Sequence, residues 1–151
     1  MTTAITGDYS KYPASIREIF PHLVGESVQL REAWTVYSHL FMGKIELTNN
    51  LAERLGGVLG MFQSLLQDEM FLSIARLTDK DLHGKENLSL ERLLVAIPEA
   101  RDENFDHNVT IAIDKICKSA CSIRKHRNKR IGHFDLSISL GSAILPRVTF
   151  N

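Results

Sequence analysis

The side chains that could do chemistry together lie mostly in one segment, residues 124–135, whose sequence is RKHRNKRIGHFD. It is called the basic segment below. Arg127 offers planar, bidentate hydrogen bonding to a phosphate group. Histidine is the side chain that transfers protons most readily near neutral pH, and His133 supplies one. Asn128 could hold a phosphate oxygen or orient the histidine. Together these residue types predict a site that binds phosphate and moves a proton.

The spacing of Arg127 and His133 predicts that both side chains edge one shallow pocket. Arg127 lies on the apolar stripe of a predicted helix, four residues after Ile123 and four before Ile131, where a guanidinium needs a partner. In a regular α-helix His133 follows about 120° around and roughly 9 Å along the axis, a gap that a long arginine side chain can largely cover. Gly132 weakens the helix there and lets a backbone or a ligand approach closely.

Positive charge is concentrated in the C-terminal quarter of a chain whose net charge is zero. Residues 115–151 hold eight of the 18 Lys and Arg residues but only one of the 18 acids. A basic face on an otherwise acidic domain suits a phosphate-rich partner. The alternative is a helix face that docks against acidic helices of its own bundle or of a second subunit. The cations predicted to contact phosphate are Arg124, Lys125, Lys129 and Arg130.

A resemblance to a known family rests on the same residues. Arg127-Asn128, followed after four residues by His133, resembles the signature of the HEPN superfamily. The surrounding RNKRIGHFD is most similar to the abortive-infection branch of that superfamily, and residues 74–79 (IARLTD) and 87–94 (NLSLERLL) resemble the same branch. The likeness covers residues 30–135, although Gly132 stands where alanine is expected.

The resemblance implies a metal-independent endoribonuclease, a toxin or phage-defence effector that uses the 2′-hydroxyl of RNA as its nucleophile and needs no cofactor. It implies Arg127, Asn128 and His133 as the catalytic residues. Because one chain supplies only one such histidine, it also implies a homodimer in which two basic segments form one composite cleft. The first and fourth helices, or the second helix with Gly56, Gly57 and Gly60, would form the contact. Those glycines suit close helix packing in a tight bundle or a dimer.

Two other function classes remain open at this stage. One is a non-catalytic HEPN module that binds a nucleotide or an RNA end. The other is a helical scaffold for a partner, for instance a nucleotidyltransferase-type antitoxin. The structural alternative for the motif is that Arg127 pairs with an acid such as Asp79, while His133 caps the helix C-terminus, where a cation is favoured. Arg76 and Asp79 are predicted to form a buried pair that supports the active helix.

Helical periodicity predicts an all-α protein built as a four-helix up-and-down bundle of HEPN type. The predicted helices run from Ser27 to Met42, from Asn49 or Asn50 to Thr78, from a cap at Asn87 or Ser89 to Ile97, and from Asn108 to His133 or Phe134. Residues 1–27 form an irregular N-terminal arm in which a short turn ends at Pro21. Residues 28–135 form the bundle. Residues 136–151 form a C-terminal extension whose alternating pattern predicts an extended segment.

Composition and cysteine usage exclude several classes of protein. Hydrophobic residues make up 44% and charged residues 24% of the chain, as in ordinary soluble domains. The longest apolar run is far short of the ~20 residues that a membrane helix needs, and the N-terminus does not resemble a secretory signal. Cys117 and Cys121 lie one helical turn apart, too far for an easy disulfide, and form no zinc pattern. We therefore expect a reduced, cytoplasmic protein without membrane segment, metal or cofactor.

Overall fold

The structure, a computed structural model, describes residues 8–43, 45–80, 86–97, 103–133 and 135–148, without the side chains of residues 45–52 and 103–106. These residues form helices and turns, and no β-strand occurs among them. The helices are α1 (Ala14–Phe41), α2 (Ile45–Thr78), α3 (Leu90–Ala96), α4 (Glu103–Ser119), α5 (Cys121–His126) and α6 (Leu136–Ser139). A π-helical turn, Arg127–Ile131, follows α5 directly. The predicted all-α class is therefore confirmed.

α1 and α2 form a long antiparallel hairpin. The Tyr37 hydroxyl of α1 accepts a hydrogen bond from Gln67 of α2 at 2.7 Å, and Glu26 of α1 accepts one from Arg76 of α2, also at 2.7 Å. The residue nearer the start of α1, Glu26, contacts the residue nearer the end of α2, Arg76, so the two helices run in opposite directions.

The hydrophobic core is centred on the C-terminal half of α2. The buried apolar residues are Leu23, Tyr37, Met70, Phe71, Ala75, Leu77, Ile113, Cys117, Ala120 and Ile123. Removing such side chains from water supplies the main favourable free energy of folding. The shorter helices α3 and α5 and the π turn pack against this part of the hairpin. The up-and-down arrangement of four helices is a finer description than these contacts establish, and it stays a prediction.

α1 extends through the region predicted to be an irregular arm. It begins at Ala14 and continues across Pro21, so the prediction that residues 14–27 are irregular and that Pro21 ends a short turn is wrong. Proline removes one helical hydrogen bond and crowds the carbonyl four residues earlier. A helix can nevertheless continue, with a bend, when tertiary contacts hold both sides. Leu23, directly after this turn, is buried and supplies such a contact. Residues 1–7 of the predicted arm lie outside the described residues.

α2 begins earlier than predicted and bends near its start. Its first residue is Ile45, and Leu55 has backbone angles (φ −132°, ψ 22°) that are not helical. A Cβ atom at Gly56, Gly57 or Gly60 would have nothing within 4 Å. The glycines therefore do not bring α2 close to another described helix of the same chain, which was one of their two predicted uses. Their use between two chains remains a prediction.

The predicted fourth helix is divided into three consecutive segments and starts earlier, at Glu103. α4 ends at Ser119, Ala120 adopts φ −76° and ψ −3°, α5 begins at Cys121, and the π turn follows. No glycine or proline marks the break at Ala120, so the apolar periodicity runs straight through it. The predicted end of this helix at Phe134 lies outside the described residues. By contrast, the predicted cap of the third helix is confirmed, because Ser89 Oγ accepts a hydrogen bond from the Arg92 amide at 3.4 Å.

Residues 136–139 form the short helix α6 rather than the predicted extended segment. The Asp135 carboxylate accepts hydrogen bonds from the amides of Ser137 and Ile138 at 3.0 and 3.3 Å, and so caps α6. The hydrogen bonds from Ser137 and from Lys129 lower the pKa of Asp135 to about 2. The alternating pattern was a misleading signal because an N-cap aspartate favours helix in the residues that follow it.

Candidate functional site

The basic segment forms the end of α5, the π turn and the start of the loop that follows. The amide of Gly132 donates to the carbonyl of Arg127 at 2.7 Å, which closes a turn one residue wider than an α-helical turn. One extra residue rotates the chain beyond it by about 100°. The predicted offset between Arg127 and His133 assumed a regular α-helix and is therefore wrong. Such π turns are found frequently at functional sites.

Arg127 is held at the C-terminal end of α2 by Asp79. Its Nη2 donates to Oδ1 of Asp79 at 2.7 Å, and the two side chains are only 28% and 22% exposed. The buried Nε of Arg127 has no acceptor among the residues that the structure describes. The sequence analysis predicted this ion pair for the case in which Arg127 has a structural rather than a catalytic role. Because a guanidinium carries five N–H donors, the pair also leaves donors for a phosphate.

Arg76 does not pair with Asp79, so that prediction is wrong. Its Nε donates to Glu26 at 2.7 Å and its Nη2 donates to Glu69 at 3.0 Å. Asp79 follows Arg76 by three positions in the sequence, but it lies beyond the last helical residue, Thr78, and binds Arg127 instead. Asp79 supports the basic segment as expected, whereas Arg76 joins α2 to α1.

Arg124, predicted to contact phosphate, binds backbone carbonyls inside the fold. Its Nη1 donates to the carbonyl of Thr78 at 3.2 Å and its Nη2 donates to that of Cys117 at 2.9 Å. Both carbonyls belong to the last turn of a helix, where no intrahelical donor is available. One guanidinium thus joins the ends of α2 and α4 to α5, and its position is that of a structural residue.

The other three cations predicted to contact phosphate differ in what they contact. Lys129 pairs with Asp135 at 3.2 Å, and Arg130 makes an ion pair with Asp68 on α2. Lys125 is exposed and has no ion pair within the described part of the chain. Among the described residues, neighbouring carboxylates neutralise the charges of Lys129 and Arg130 but not that of Lys125.

Asn128 and His133 are both exposed, one within the π turn and the other directly after Gly132. Neither side chain makes a hydrogen bond to another described residue, so the predicted capping role of His133 is not seen among the described residues. Both side chains can reach a ligand in solvent without first breaking a contact. The π turn therefore begins at Arg127, which is bound on one side by Asp79, and the exposed His133 lies just beyond its end.

Asp68 is a contributor to this region that the sequence analysis missed. Asp68 lies on α2, and Asp79 lies one residue past the end of that helix, eleven residues further along the chain. They receive Arg130 and Arg127, which are three residues apart and therefore neighbours on a helix surface. Eleven residues of helix rise about 16 Å and three residues rise only about 5 Å, so the two spacings differ and could not have predicted how the basic segment docks on α2.

His126 is a second residue whose role was missed. Its Nε2 lies 2.7 Å from the carbonyl oxygen of Pro146, and its ring centroid lies 5.4 Å from that of Phe71. The histidine therefore joins the C-terminal residues to α5 and to the core, directly before Arg127. No sequence pattern connects His126 with a carbonyl twenty residues later, so there was no signal that could have found this contact.

A cavity of about 210 Å³ adjoins Asp79, but no described residue of the basic segment lines it. Its polar lining residues are His22, Glu26, Arg76, Asp79 and Asn87. Within the described ranges, no three His, Cys, Asp or Glu side chains are grouped so that they could hold a metal ion. Among the described helices, none has both the length and the apolar character needed to cross a membrane.

Comparison with known proteins gives one match. No curated protein and no solved structure matches the chain. The family model of the HEPN type named AbiU2 matches residues 14–151, which is nearly the whole sequence and includes the basic segment, α2 and Asp79. The match extends at both ends beyond residues 30–135, which the resemblance covers. The chain therefore belongs to the HEPN AbiU2 family of abortive-infection proteins.

Proposed function

We propose that the chain is a metal-independent endoribonuclease that acts as an abortive-infection effector, with Arg127, Asn128 and His133 as its catalytic residues. The observation that supports this most directly is the arrangement around the π turn. Arg127 is held at the start of this turn with N–H donors still available, and the side chains of Asn128 and His133 are exposed and have no hydrogen-bond partner in the described part of the chain. Family membership makes the abortive-infection setting the natural one.

The proposed reaction needs no group beyond the RNA and these side chains. His133 takes the proton of a 2′-hydroxyl, whose oxygen then attacks the adjacent phosphorus. Negative charge develops on the phosphoryl oxygens, and the Arg127 guanidinium and the Asn128 amide stabilise it. The bond from phosphorus to the 5′-oxygen breaks as that oxygen receives a proton from the protonated His133 of a second copy of the chain. The products are a 2′,3′-cyclic phosphate and a free 5′-hydroxyl.

Asp79 is a positioning residue in this proposal. It binds one edge of the Arg127 guanidinium and restricts the long side chain, so less conformational entropy is lost when a phosphate binds. A second copy of the chain, with its basic segment facing the first, would supply a second histidine to protonate the leaving oxygen. The homodimer with one composite cleft is therefore part of the proposal.

The test is RNA cleavage by purified protein and its variants. We expect His133→Ala to abolish cleavage because the proton acceptor is lost. Arg127→Ala should lower the rate by roughly 10²–10³, the usual effect of losing one transition-state charge contact. EDTA should not change the rate, and the products should carry a cyclic phosphate. His107→Ala removes another exposed histidine, on α4, and should leave cleavage unchanged. Full cleavage by the His133→Ala protein would contradict the proposal.

A second candidate is a non-catalytic HEPN module that binds RNA, a nucleotide or an antitoxin of nucleotidyltransferase type. The partial burial of Arg127 against Asp79 favours it, because a structural ion pair has the same appearance. In that case wild-type protein would not cleave RNA, and Asp79→Asn would lower the melting temperature as much as Arg127→Met. The ribonuclease proposal instead expects Asp79→Asn to lower the cleavage rate more than the stability.

A further inference from the structure

The cavity beside Asp79 is lined by two carboxylates that each use only one oxygen within the described part of the chain. Glu26 of α1 and Asp79, just after α2, both line it, and their side chains are only 23% and 22% exposed. Oε1 of Glu26 accepts a hydrogen bond from Arg76, and Oδ1 of Asp79 accepts one from Arg127. The second oxygen of each carboxylate has no donor among the described residues. Because buried acceptors are nearly always hydrogen-bonded, the cavity suits a ligand that carries N–H or O–H donors.

The charges around the cavity indicate that this ligand is neutral. Arg76 is the one Lys or Arg side chain in the described lining, and it is already bound by Glu26 and Glu69. A phosphate group in the cavity would face two carboxylates without an unpaired cation, which is unfavourable. A cationic ligand would lie beside the Arg76 guanidinium, and both carboxylates already have a positive partner.

The size and the apolar lining of the cavity fit one flat ring system. Leu23, Leu77 and Leu88 supply the apolar lining, and Leu88 and His22 are exposed, so the cavity opens to solvent. A cavity of about 150 Å³ lined by apolar side chains binds benzene, and this one measures about 210 Å³. A heteroaromatic ring system with its exocyclic groups therefore fits, while a sugar and a phosphate attached to it remain outside.

A nucleobase combines these properties, and guanine fits best. Proteins commonly recognise single-stranded RNA by hydrogen bonds to the Watson–Crick edges of unstacked bases and by stacking them on histidine or arginine side chains. The guanine edge carries two adjacent donors, N1–H and the N2 amine, for two carboxylate oxygens. Adenine and cytosine have an acceptor nitrogen beside their amine, and uracil has one N–H between two carbonyl oxygens. Those acceptors would face the carboxylates.

We propose that this cavity binds a guanine base of an RNA strand, with Glu26 and Asp79 as the acceptors. This role for the cavity rests on the proposed function, in which Arg127 holds a phosphate of the same strand. Asp79 lines the cavity and also binds Arg127, so one side chain separates the base from that phosphate. A nucleotide joins its base to its phosphate through a single sugar, which suits this short separation. RNA is therefore bound, and cut, next to guanine.

Binding of short RNA to the His133→Ala protein tests the cavity without cleavage. Fluorescence anisotropy compares uridine oligomers that carry one guanosine, inosine or adenosine at the same position. The guanosine oligomer should bind at least about tenfold more tightly than the other two, because inosine lacks the N2 amine and adenosine presents an acceptor. Equal affinities for the three oligomers, or no binding of the guanosine oligomer, would overturn the proposal.

Glu26→Gln distinguishes a contact with the base from a structural effect. The amide oxygen of the new side chain stays with Arg76, so its NH₂ group takes the place of the oxygen that accepts from guanine. The preference for guanosine over adenosine should then fall by about tenfold. Glu69→Gln is the matched control, because Glu69 binds the same guanidinium without lining the cavity, and it should leave that preference unchanged. An equal loss in both variants, or no loss in Glu26→Gln, would contradict the assignment of Glu26.

Free guanosine and guanosine monophosphate distinguish RNA from a free nucleotide as the source of the base. Both should displace the guanosine oligomer only at much higher concentration, because they lack the neighbouring phosphates of the strand. Guanosine monophosphate that bound as tightly as the oligomer would overturn the assignment to RNA. A wild-type protein that does not cleave RNA but keeps the guanine preference contradicts the ribonuclease proposal alone. Cleavage without that preference overturns the role of the cavity alone.

Discussion

Arg124 shows how a cation in a dense run of positive charge can have a structural role. From sequence it was one of four candidates for phosphate contact. In the structure its two terminal nitrogens bind the carbonyls of Thr78 and Cys117. A planar guanidinium can serve two acceptors in fixed directions, which a lysine cannot do. The next residue, Lys125, lies on the exposed side of the same helix and does not reach these carbonyls.

Replacing Arg124 by Met should destabilise the fold. Two carbonyls would lose their donors, and such losses cost about 1–3 kcal/mol. We expect a lower urea midpoint with an unchanged slope, measured by circular dichroism. Lys125→Met is the matched control, since it removes a neighbouring positive charge without removing a described contact, and it should leave the midpoint unchanged. Equal midpoints for the two variants would show that Arg124 has no structural role.

Of the two ion pairs predicted for Asp79, the one with Arg127 is present and the one with Arg76 is not. An arginine on an apolar stripe had to find an acid, and Asp79 was named as one that could pair with Arg127. Arg76 was assigned to Asp79 because the two are close in sequence. One of its two carboxylate partners, Glu26, is fifty residues away, on a helix that was predicted to start only at Ser27.

At the scale of elements, Gly132 sits at the close of the π turn. A Cβ atom there would lie 3.2 Å from the carbonyl oxygen of Arg127, the same atom that accepts the Gly132 amide hydrogen bond. That contact is tight, and the neighbour is backbone rather than a flexible side chain. It gives a physical reason for glycine where the family resemblance led us to expect alanine.

Gly132→Ala should therefore disturb the π turn. Alanine favours helix by up to about 1 kcal/mol over glycine, and the tight contact opposes this gain. We expect a stability change near zero, faster hydrogen exchange of the residue 132 amide, and slower RNA cleavage. Gly25→Ala is the control, because its Cβ has open space within α1 and the same substitution should raise stability. Unchanged amide exchange at residue 132 would contradict this expectation.

Periodicity predicted that helices exist but not where they break. The stripe through Ile113, Cys117 and Ala120 is real, and all three side chains are buried. The break at Ala120 leaves that stripe almost undisturbed, so the sequence carries no sign of it. Pro21 had the opposite effect, since it marks a break in sequence that the packing of α1 overrides.

At the scale of the whole molecule, the charge asymmetry predicted from sequence is partly neutralised inside the fold. Asp68, Asp79 and Asp135 each bind a cation of the basic segment. The acidic part of the chain therefore contributes directly to docking its basic part. The basic segment docks on α2, as the alternative interpretation of the charge pattern predicts, while Lys125 and part of Arg127 stay exposed, and binding of a phosphate-rich partner remains a prediction.

This neutralisation predicts a weak salt dependence of RNA binding. Each phosphate contact to single-stranded nucleic acid contributes about −0.7 to the slope of log affinity against log salt. If all five Lys and Arg residues of the basic segment contacted phosphate, the slope would be about −3.5. One or two phosphate contacts would give a slope of about −1 per chain. Fluorescence anisotropy with the His133→Ala protein measures this without cleavage. A slope near the larger value would mean that RNA opens the internal ion pairs.

The contrast between the two cysteines provides a spectroscopic handle on the site. Burial raises the pKa of the Cys117 thiol, so little reactive thiolate forms there, while Cys121 is exposed on α5. A thiol-directed fluorophore or spin label should therefore attach at position 121 in the otherwise unaltered chain. That position lies six residues before Arg127. It would report on changes at the π turn without any engineered residue.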